Sequence, residues 1–294
     1  MEGDWPRTPD GLTPEALVAV TEHPAFQQAM RASAAGAVSH YADNARMRRY
    51  TRDRGSYLIS LAALYLHFSP DGLTATRLKS LCVTIGICSQ GRVASVLAYM
   101  RGRGDLIAVT DSGDKRVRLL IPGEAFLAFQ RTRFRVEFNA LALLSPAGGA
   151  VLAAFDHDDL FHAYLRVSAP LMLANFGTGT DEYTQILNVF AEHDVGLLLL
   201  FELLEDREAL TCSPFRISVS RVAGRLGVSR IHILKLLSEG TRTGLLEWRR
   251  DSREVAFNPR LAAALNYYFA LLFMFLGYHV AMAFAAPGGR QAAA

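Results

Sequence analysis

An internal repeat of about 140 residues constrains the fold of this chain more than any other feature of its sequence. Residues 15–35 align with residues 150–170 at an offset of 135, and residues 89–107 align with residues 229–247 at an offset of 140. The two blocks keep their order along the chain, and the residues that coincide are mainly apolar. They include Leu17 with Leu152, Phe26 with Phe161, Met30 with Leu165, Val93 with Ile233, Leu97 with Leu237 and Leu106 with Leu246.

The repeat predicts two units, residues 1–146 and 147–294, that share one order of secondary structure. Each unit begins with amphipathic helices, continues with an apolar helix and two helices separated by a tight turn, and ends with two short strands and a closing helix. Linkers are predicted at residues 145–149 and 175–182. The expected fold is mainly α with small β-hairpin wings, and the units are expected to pack through their N- and C-terminal helices.

Positive charge is concentrated in one segment of the second unit. The net charge of the chain is only +3, and 51% hydrophobic with 20% charged residues is typical of a globular protein. Residues 215–260, however, carry ten basic and four acidic side chains. Because a local excess of positive charge favours a polyanionic partner, this segment is a candidate binding surface.

Start and stop signals in this basic segment predict two short helices separated by a turn. Ser218 can N-cap the first helix, Gly227 can end it in the left-handed conformation, and Ser229 can N-cap the second. The apolar residues that would pack the two helices together are Val222, Leu226, Ile233 and Leu237. A helix of this kind fits the major groove of DNA. The predicted DNA contacts on it are Ser229, Arg230, His232 and Lys235.

A basic hairpin follows each predicted helix pair. In the second unit the strands meet at Asp251 and Ser252, and the predicted DNA contacts at the tip are Arg249, Arg250 and Arg253. In the first unit the tip lies at residues 111–114, and the predicted contacts beside it are Lys115, Arg116 and Arg118. The matching helix of the first unit offers Ser89, Gln90, Arg92 and Ser95. Basic hairpins of this kind can reach flanking phosphates or the minor groove.

A helix-turn-helix followed by a two-stranded hairpin is the arrangement of a winged helix. The stretch GVSRIHILKLLSEGTRTGLL, residues 227–246, resembles the bacterial pattern G-V-S-R-x-x-V followed by G-L-I. A repeated unit with one helix before the winged helix and a long helix after it resembles a subunit of the multiple antibiotic resistance regulator (MarR) family. The resemblance covers the architecture of both repeats, whereas residue identity is confined to the helix-turn-helix segments.

This resemblance implies a transcription regulator that binds double-stranded DNA as a dimer of paired outer helices. Members of the family often release DNA when they bind a small, commonly aromatic, effector. A duplicated chain would be a single-chain pseudo-dimer, either monomeric or weakly dimerising. Because site symmetry mirrors protein symmetry, two unequal units predict an asymmetric DNA site.

Several residues depart from the family pattern. Gly240 stands where a core leucine is expected, Ile231 and Leu234 bring apolar side chains near the predicted DNA face, and the first unit has one extra residue in its turn. These departures leave open an alternative in which the winged helices bind another protein instead of DNA.

The closing helix of the second unit has two interpretations. Residues 261–286 contain no Asp, Glu, Lys or Arg over 26 residues, which is long enough to span a bilayer. A helix that is apolar all round lies either in lipid or inside protein. The matching residues 124–144 carry three arginines and Glu137. That polar counterpart favours burial between the paired outer helices, and the alternative is a membrane-anchored regulator.

The remaining patterns indicate no enzyme. No Walker loop, nucleophile elbow or pair of catalytic carboxylates occurs, so no catalytic residue and no cofactor are predicted. Residues 156–162 combine histidines with aspartates, but His157 and His162 are five residues apart, so a solvated helix start is expected and no metal. The arginine-rich residues 46–54 could contact phosphate or form a solvated linker.

The cysteines and the first residues predict a cytoplasmic protein. Cys82, Cys88 and Cys212 form no C-x-x-C motif and no even-numbered disulfide framework. The opening residues lack a basic segment followed by an apolar run, as a signal peptide would have.

Overall fold

The computed structural model of the chain describes residues 13–44, 48–51, 53–109, 118–176, 181–205 and 210–286. The first half contains α1 (Pro14–Thr21), α2 (Phe26–Asp43), α3 (Arg48–Thr51), α4 (Arg54–Phe68), β1 (Leu73–Thr74), α5 (Ala75–Thr84), α6 (Gln90–Gly102), β2 (Leu106–Val109), β3 (Leu119–Pro122) and α7 (Glu124–Leu141). The second half contains α8 (Pro146–Ala154), α9 (Asp158–Phe176), α10 (Glu182–Ala191), α11 (Gly196–Glu205), β4 (Phe215–Arg216), α12 (Val219–Arg225), α13 (Arg230–Arg242), β5 (Leu246–Arg249), β6 (Glu254–Phe257) and α14 (Pro259–Ala285). The protein is mainly helical, and the described elements follow one another in the same order in both halves.

The prediction of a linker at residues 145–149 is wrong, because helix α8 begins inside it. The Ser145 side chain N-caps this helix, and Pro146 occupies its first turn, where a missing N–H has no consequence. Gly148 lies so close to the end of α7 that a Cβ atom there would be 2.3 Å from the Ala142 nitrogen. Glycine thus serves close packing of two helices here, whereas the sequence suggested a flexible connection.

The second predicted linker, residues 175–182, is helical at both ends. Helix α9 continues to Phe176, and α10 begins at Glu182 after Asp181, whose carboxylate accepts a hydrogen bond from Thr184 N–H at 2.9 Å. Residues 177–180 lie outside the described part of the chain.

Each half contains one antiparallel sheet of three strands, with the orders β1-β3-β2 and β4-β6-β5. The hairpins β2–β3 and β5–β6 are the two that the sequence predicts. The third strand of each sheet, β1 or β4, precedes the helix pair and joins the far side of the hairpin, with Leu73 opposite Leu120 and Phe215 opposite Val255. A strand of two residues is too short to show an alternating pattern, which is why the sequence did not predict it.

Helices of each half pack against helices of the other half. Helix α2 of the first half packs on α11 of the second, and α9 of the second half packs on α4 of the first. In the same reciprocal manner α1 packs on α14 and α8 on α7. Matched residues are buried in both halves, as Phe26 and Phe161 show with 1% and 0% exposure. The contact between the halves is therefore part of one continuous apolar core.

A buried ion pair lies within this core. Arg133 of α7 pairs with Glu137 one turn later, and the Ser33 hydroxyl of α2 donates to the same carboxylate. Burial lowers the pKa of Arg133, but the Glu137 carboxylate and two nearby tyrosines together more than offset this, so the pKa is raised overall. Tyr57 of the first half and Tyr268 of the second contribute in the same direction. Side chains of both halves thus surround the Arg133 guanidinium.

Candidate nucleic-acid interface

Helices α12 and α13 form the pair that the sequence predicts in the second half. The Ser218 side chain accepts a hydrogen bond from Arg221 N–H, and the Ser229 side chain accepts one from His232 N–H. Gly227 has φ +63° in the turn between the helices. The four residues predicted to pack the helices together are all at most 1% exposed: Val222, Leu226, Ile233 and Leu237. The caps, the turn and the inner face are therefore confirmed.

The outer face of α13 carries cations that no other described residue neutralises. Arg230 and Lys235 are exposed and form no hydrogen bond or ion pair within the described part of the chain. Between them Ile231 is 66% exposed, the largest exposed fraction among the large apolar residues described. Leu234 is half-buried. This face offers positive charge at its edges and one apolar side chain at its centre.

The third residue of α6 and of α13 turns toward its own half. His232 Nε2 lies 2.8 Å from the carbonyl oxygen of Asp194, just before α11. At the matched position Arg92 Nη2 lies 2.7 Å from Asp53 Oδ1 and 3.3 Å from Ser56 Oγ, at the start of α4. Both residues are predicted DNA contacts, and their polar atoms have intramolecular partners in this structure.

Helix α6 repeats the construction of α13 in the first half. Ser89 N-caps it, and Val93 and Leu97 are buried at 0% and 4% exposure. Gln90 and Ser95 are exposed on the opposite side. The extra residue in the preceding turn is confirmed, since residues 85–89 separate α5 from α6, whereas residues 226–229 separate α12 from α13.

The hairpin of the second half turns through residues 250–253, with Arg253 in the left-handed conformation at φ +56°. Its three arginines are exposed. Arg249 pairs with Glu247 at 3.3 Å, while the side chains of Arg250 and Arg253 form no hydrogen bond or ion pair with the described residues. The hairpin tip therefore carries two uncompensated positive charges.

The tip of the first hairpin is outside the described residues, as are the predicted contacts Lys115 and Arg116. Arg118, which precedes β3, is exposed.

Gly240 is accommodated because Phe190 of α10 occupies the space that a leucine would fill. A Cβ atom at residue 240 would lie 2.9 Å from Phe190 Cζ and 2.8 Å from Leu246 Cδ1. Phe190 is 1% exposed. The departure from the family pattern is thus a rearrangement of the core and leaves no gap.

Arg225 of α12 faces the interior, although it belongs to the basic segment. Its guanidinium pairs with Glu205, lies 3.0 Å from Glu202 Oε2, and donates to Ser39 Oγ of α2 at 3.2 Å. Burial raises the pKa of the Glu202 carboxyl, and Arg225 partly offsets that effect. Arg225 therefore joins α12 to both halves, which its charge alone could not reveal.

A cleft of about 500 Å³ lies where the two halves meet beside α13. Its lining residues come from α2, α3 and α6 of the first half and from the start of α13 and the turn before it in the second: Tyr41, Arg48, Arg49, Tyr99, Gly227, Val228, Ser229 and His232. For the arginine-rich residues 46–54 the sequence left phosphate contact and a solvated linker as alternatives, and it gave no sign that Arg48 and Arg49 meet the second half.

Helix α14 is the one described helix that is long and apolar enough to cross a membrane. Eleven of its 27 residues are buried, and it packs on α1, α7, α8, α9 and α10. Two of its polar residues interact with the rest of the protein. Asn266 Oδ1 accepts a hydrogen bond from Gln27 Nε2 at 3.3 Å, and His279 is 2% exposed. One face of α14 therefore belongs to the core.

The acidic start of α9 is held by arginines of α7. Asp156 Oδ1 lies 2.8 Å from Arg135 Nη1, and Asp158 pairs with Arg131. Among the described residues no group of three or more His, Cys, Asp or Glu side chains is arranged to hold a metal ion.

No protein-family model, no curated protein and no solved structure matches this chain. The functional assignment accordingly rests on the geometry and charge of the two helix pairs and their hairpins.

Proposed function

We propose that the chain is a DNA-binding transcription regulator in which two winged helices, one in each half, form a single-chain pseudo-dimer. The observation that carries the proposal is the pairing, in each half, of a capped two-helix turn with a sheet of order β1-β3-β2 or β4-β6-β5. In this arrangement the second helix of the pair enters the major groove, and the hairpin contacts the flanking backbone.

The distribution of charge supports the proposal. Among the described residues of the second half, the cations without an acidic partner include Arg230 and Lys235 on α13 and Arg250 and Arg253 on the hairpin. Exposed cations left without acidic partners suit a polyanion, because phosphate contacts release the counterions of DNA. Side chains at the start of the helix would then contact base edges, and the hairpin arginines would contact phosphates.

The two halves offer DNA different side chains. Gln90 and Gly91 of α6 occupy the positions of Arg230 and Ile231 of α13 in the repeat. We therefore expect an asymmetric site, of which the half facing α13 is the more strongly specified.

Selection of bound duplexes from a random DNA pool, with the full chain, tests the proposal directly. We expect enrichment of one asymmetric sequence. The selected duplex is then bound by Arg230→Ala and Lys235→Ala, each of which should lose roughly 5- to 150-fold in affinity, corresponding to about 1 to 3 kcal/mol per base contact. Arg242→Ala is the matched control, since this arginine lies at the far end of α13 and pairs with Glu239.

The hairpin is tested by the salt dependence of binding. Affinity for DNA falls as salt rises, and replacing both Arg250 and Arg253 should make this fall less steep. The magnitude of the slope of log affinity against log salt should decrease by about two, roughly one for each phosphate contact. Weak binding that is independent of sequence and equal in all variants contradicts specific regulation.

A second candidate function, protein interaction through the first half, is favoured by two isoleucines on its hairpin. Ile107 and Ile121 are paired across the strands and remain 48% and 40% exposed. Cross-strand neighbours share one face of a sheet, so they form a small apolar patch. If Gln90→Ala and Ser95→Ala leave affinity for the selected duplex unchanged, the first half does not read DNA and the protein-interaction function is preferred for it.

Release of DNA by a small aromatic effector remains a prediction of the family resemblance, and a cytoplasmic location remains a prediction from the cysteine pattern and the opening residues. Addition of aromatic carboxylates to the complex with the selected duplex would test the first of these.

A further inference from the structure

The cleft beside α13 is built from two arginines that are fixed by their neighbours. The Arg48 guanidinium donates to the carbonyl oxygens of Tyr41 and Ala42, at 3.3 and 2.7 Å, and lies 5.6 Å from the centre of the Tyr41 ring. Arg49 lies 4.8 Å from the centre of the Tyr99 ring. A planar guanidinium that lies over an aromatic ring does not use its N–H groups in that contact. The N–H groups around its edge can therefore donate hydrogen bonds to an oxyanion.

Gly227 brings Arg48 to the second half. The position that a Cβ atom would take at residue 227 is 2.4 Å from Arg48 Nη1, so any larger residue would displace the guanidinium from this position. The glycine therefore has two functions, because it also adopts the left-handed conformation that ends α12. As a result a guanidinium of the first half lies beside the N-terminal end of α13.

The charges around the cleft have one sign. The N-terminus of a helix carries partial positive charge, so a cation placed there is unfavourable unless an anion is also present. Neither Arg48 nor Arg49 pairs with a carboxylate in the described part of the chain, and none of the cleft's lining residues is acidic. Two guanidinium groups, the Ser229 hydroxyl and the first turn of α13 thus surround a space with no counter-charge.

We propose that this cleft binds an anion between the two halves and that the bound group is a phosphate. Donors approach from the first half and from the start of α13, which suits a tetrahedral group with several exposed oxygens better than a planar carboxylate. At about 500 Å³ the cleft is much larger than a single phosphate ion. The phosphate therefore belongs to a larger molecule, either the DNA backbone or a small phosphate ester.

Titration of the full chain with inorganic phosphate at constant ionic strength tests the site without DNA. We expect saturable shifts of the amide resonances of Ser229, Arg230 and Ile231 in two-dimensional NMR spectra. Arg49→Gln should weaken this binding about tenfold, as loss of one charge-assisted hydrogen bond implies. Arg166→Gln is the control, because this exposed arginine also lies near a ring, 5.6 Å from the centre of Phe68, but outside the cleft.

The salt dependence of DNA binding distinguishes the two sources of phosphate. If the DNA backbone occupies the cleft, Arg49→Gln lowers the salt slope by about one. If a small phosphate ester occupies it, the salt slope is unchanged while the phosphate-induced shifts are lost. Only the DNA source rests on the proposed function, so a chain that fails to bind DNA can still bind phosphate. The proposal is overturned if Arg49→Gln and Arg166→Gln behave alike in both measurements. Arg49 is exposed and its substitution leaves the core intact, whereas Arg48→Gln would also remove backbone contacts.

Discussion

Substitutions of Phe190 and Gly240 should have non-additive effects on the free energy of unfolding, because the Phe190 ring fills space that a side chain at residue 240 would need. Phe190→Ala removes a ring that is 1% exposed, which should lower the free energy of unfolding by about 3 to 5 kcal/mol. Gly240→Leu places its Cβ atom 2.9 Å from Phe190 Cζ and 2.8 Å from Leu246 Cδ1, the end of a side chain that can shift. This overpacking should cost about 1 to 3 kcal/mol, from which the better helix propensity of leucine recovers about 1 kcal/mol.

The double variant Phe190→Ala/Gly240→Leu should be more stable than the sum of the single effects predicts. The leucine then fills the cavity that the missing ring leaves, so we expect a favourable coupling of at least about 2 kcal/mol. Urea denaturation followed by circular dichroism measures the three free energies, and equal slopes against urea show that the denatured states are comparable. Single effects that add to within about 0.5 kcal/mol would falsify this account, because the two side chains would then not compete for one space.

Three further predictions concern the core and the exposed face of α13. Glu137→Gln leaves Arg133 buried without its carboxylate and should cost about 3 to 5 kcal/mol in urea denaturation, whereas Glu239→Gln, in a solvent-exposed pair, should leave the free energy of unfolding nearly unchanged. Burial lowers the pKa of His279 to about 4, so the unfolded chain binds more protons between pH 6.5 and 4. The free energy of unfolding should therefore decrease by up to about 3 kcal/mol as the pH falls from 6.5 to 4. If the His279→Phe variant shows the same pH dependence as the wild type, this explanation is contradicted. Ile231 should contact a thymine methyl group. Replacing the thymines of the selected duplex by deoxyuridine should weaken binding about fourfold in the wild type and not in Ile231→Ala.

The elements that the sequence predicts correctly are those whose cause lies within a few residues. Ser218, Ser229 and Gly227 are examples, because a cap needs only a side-chain oxygen near the next free amides, and a left-handed turn needs only a residue without a Cβ atom. The inner face of each helix pair follows from the spacing of apolar residues in the same way. Local chemistry therefore predicts the helix pairs and hairpins of both halves.

The contacts that the sequence does not predict depend on distant parts of the chain. Arg225 is basic and lies in a basic segment, yet it faces inward because Glu202, Glu205 and Ser39 meet there from two other helices. The packing of helices between the halves has the same character, since nothing in α2 alone indicates that it packs on α11. The cleft depends on this packing as well, because Arg48 reaches Gly227 only when the halves are packed together.

The apolar composition of α14 follows from its place in this packing. Its matched helix α7 carries the buried ion pair of Arg133 and Glu137. Helix α14 supplies Tyr268 beside this pair, along with Phe269 and Phe273, which are 0% and 2% exposed. Moving α14 into a bilayer would remove both phenylalanines from the core, with a loss of about 1.5 to 3 kcal/mol for each in the remaining protein. Truncation at the start of α14 removes the same contacts, so it would unfold the chain before it tested membrane attachment. Fractionation of the intact chain avoids this difficulty, and a helix that packs as described here should leave the protein in the supernatant.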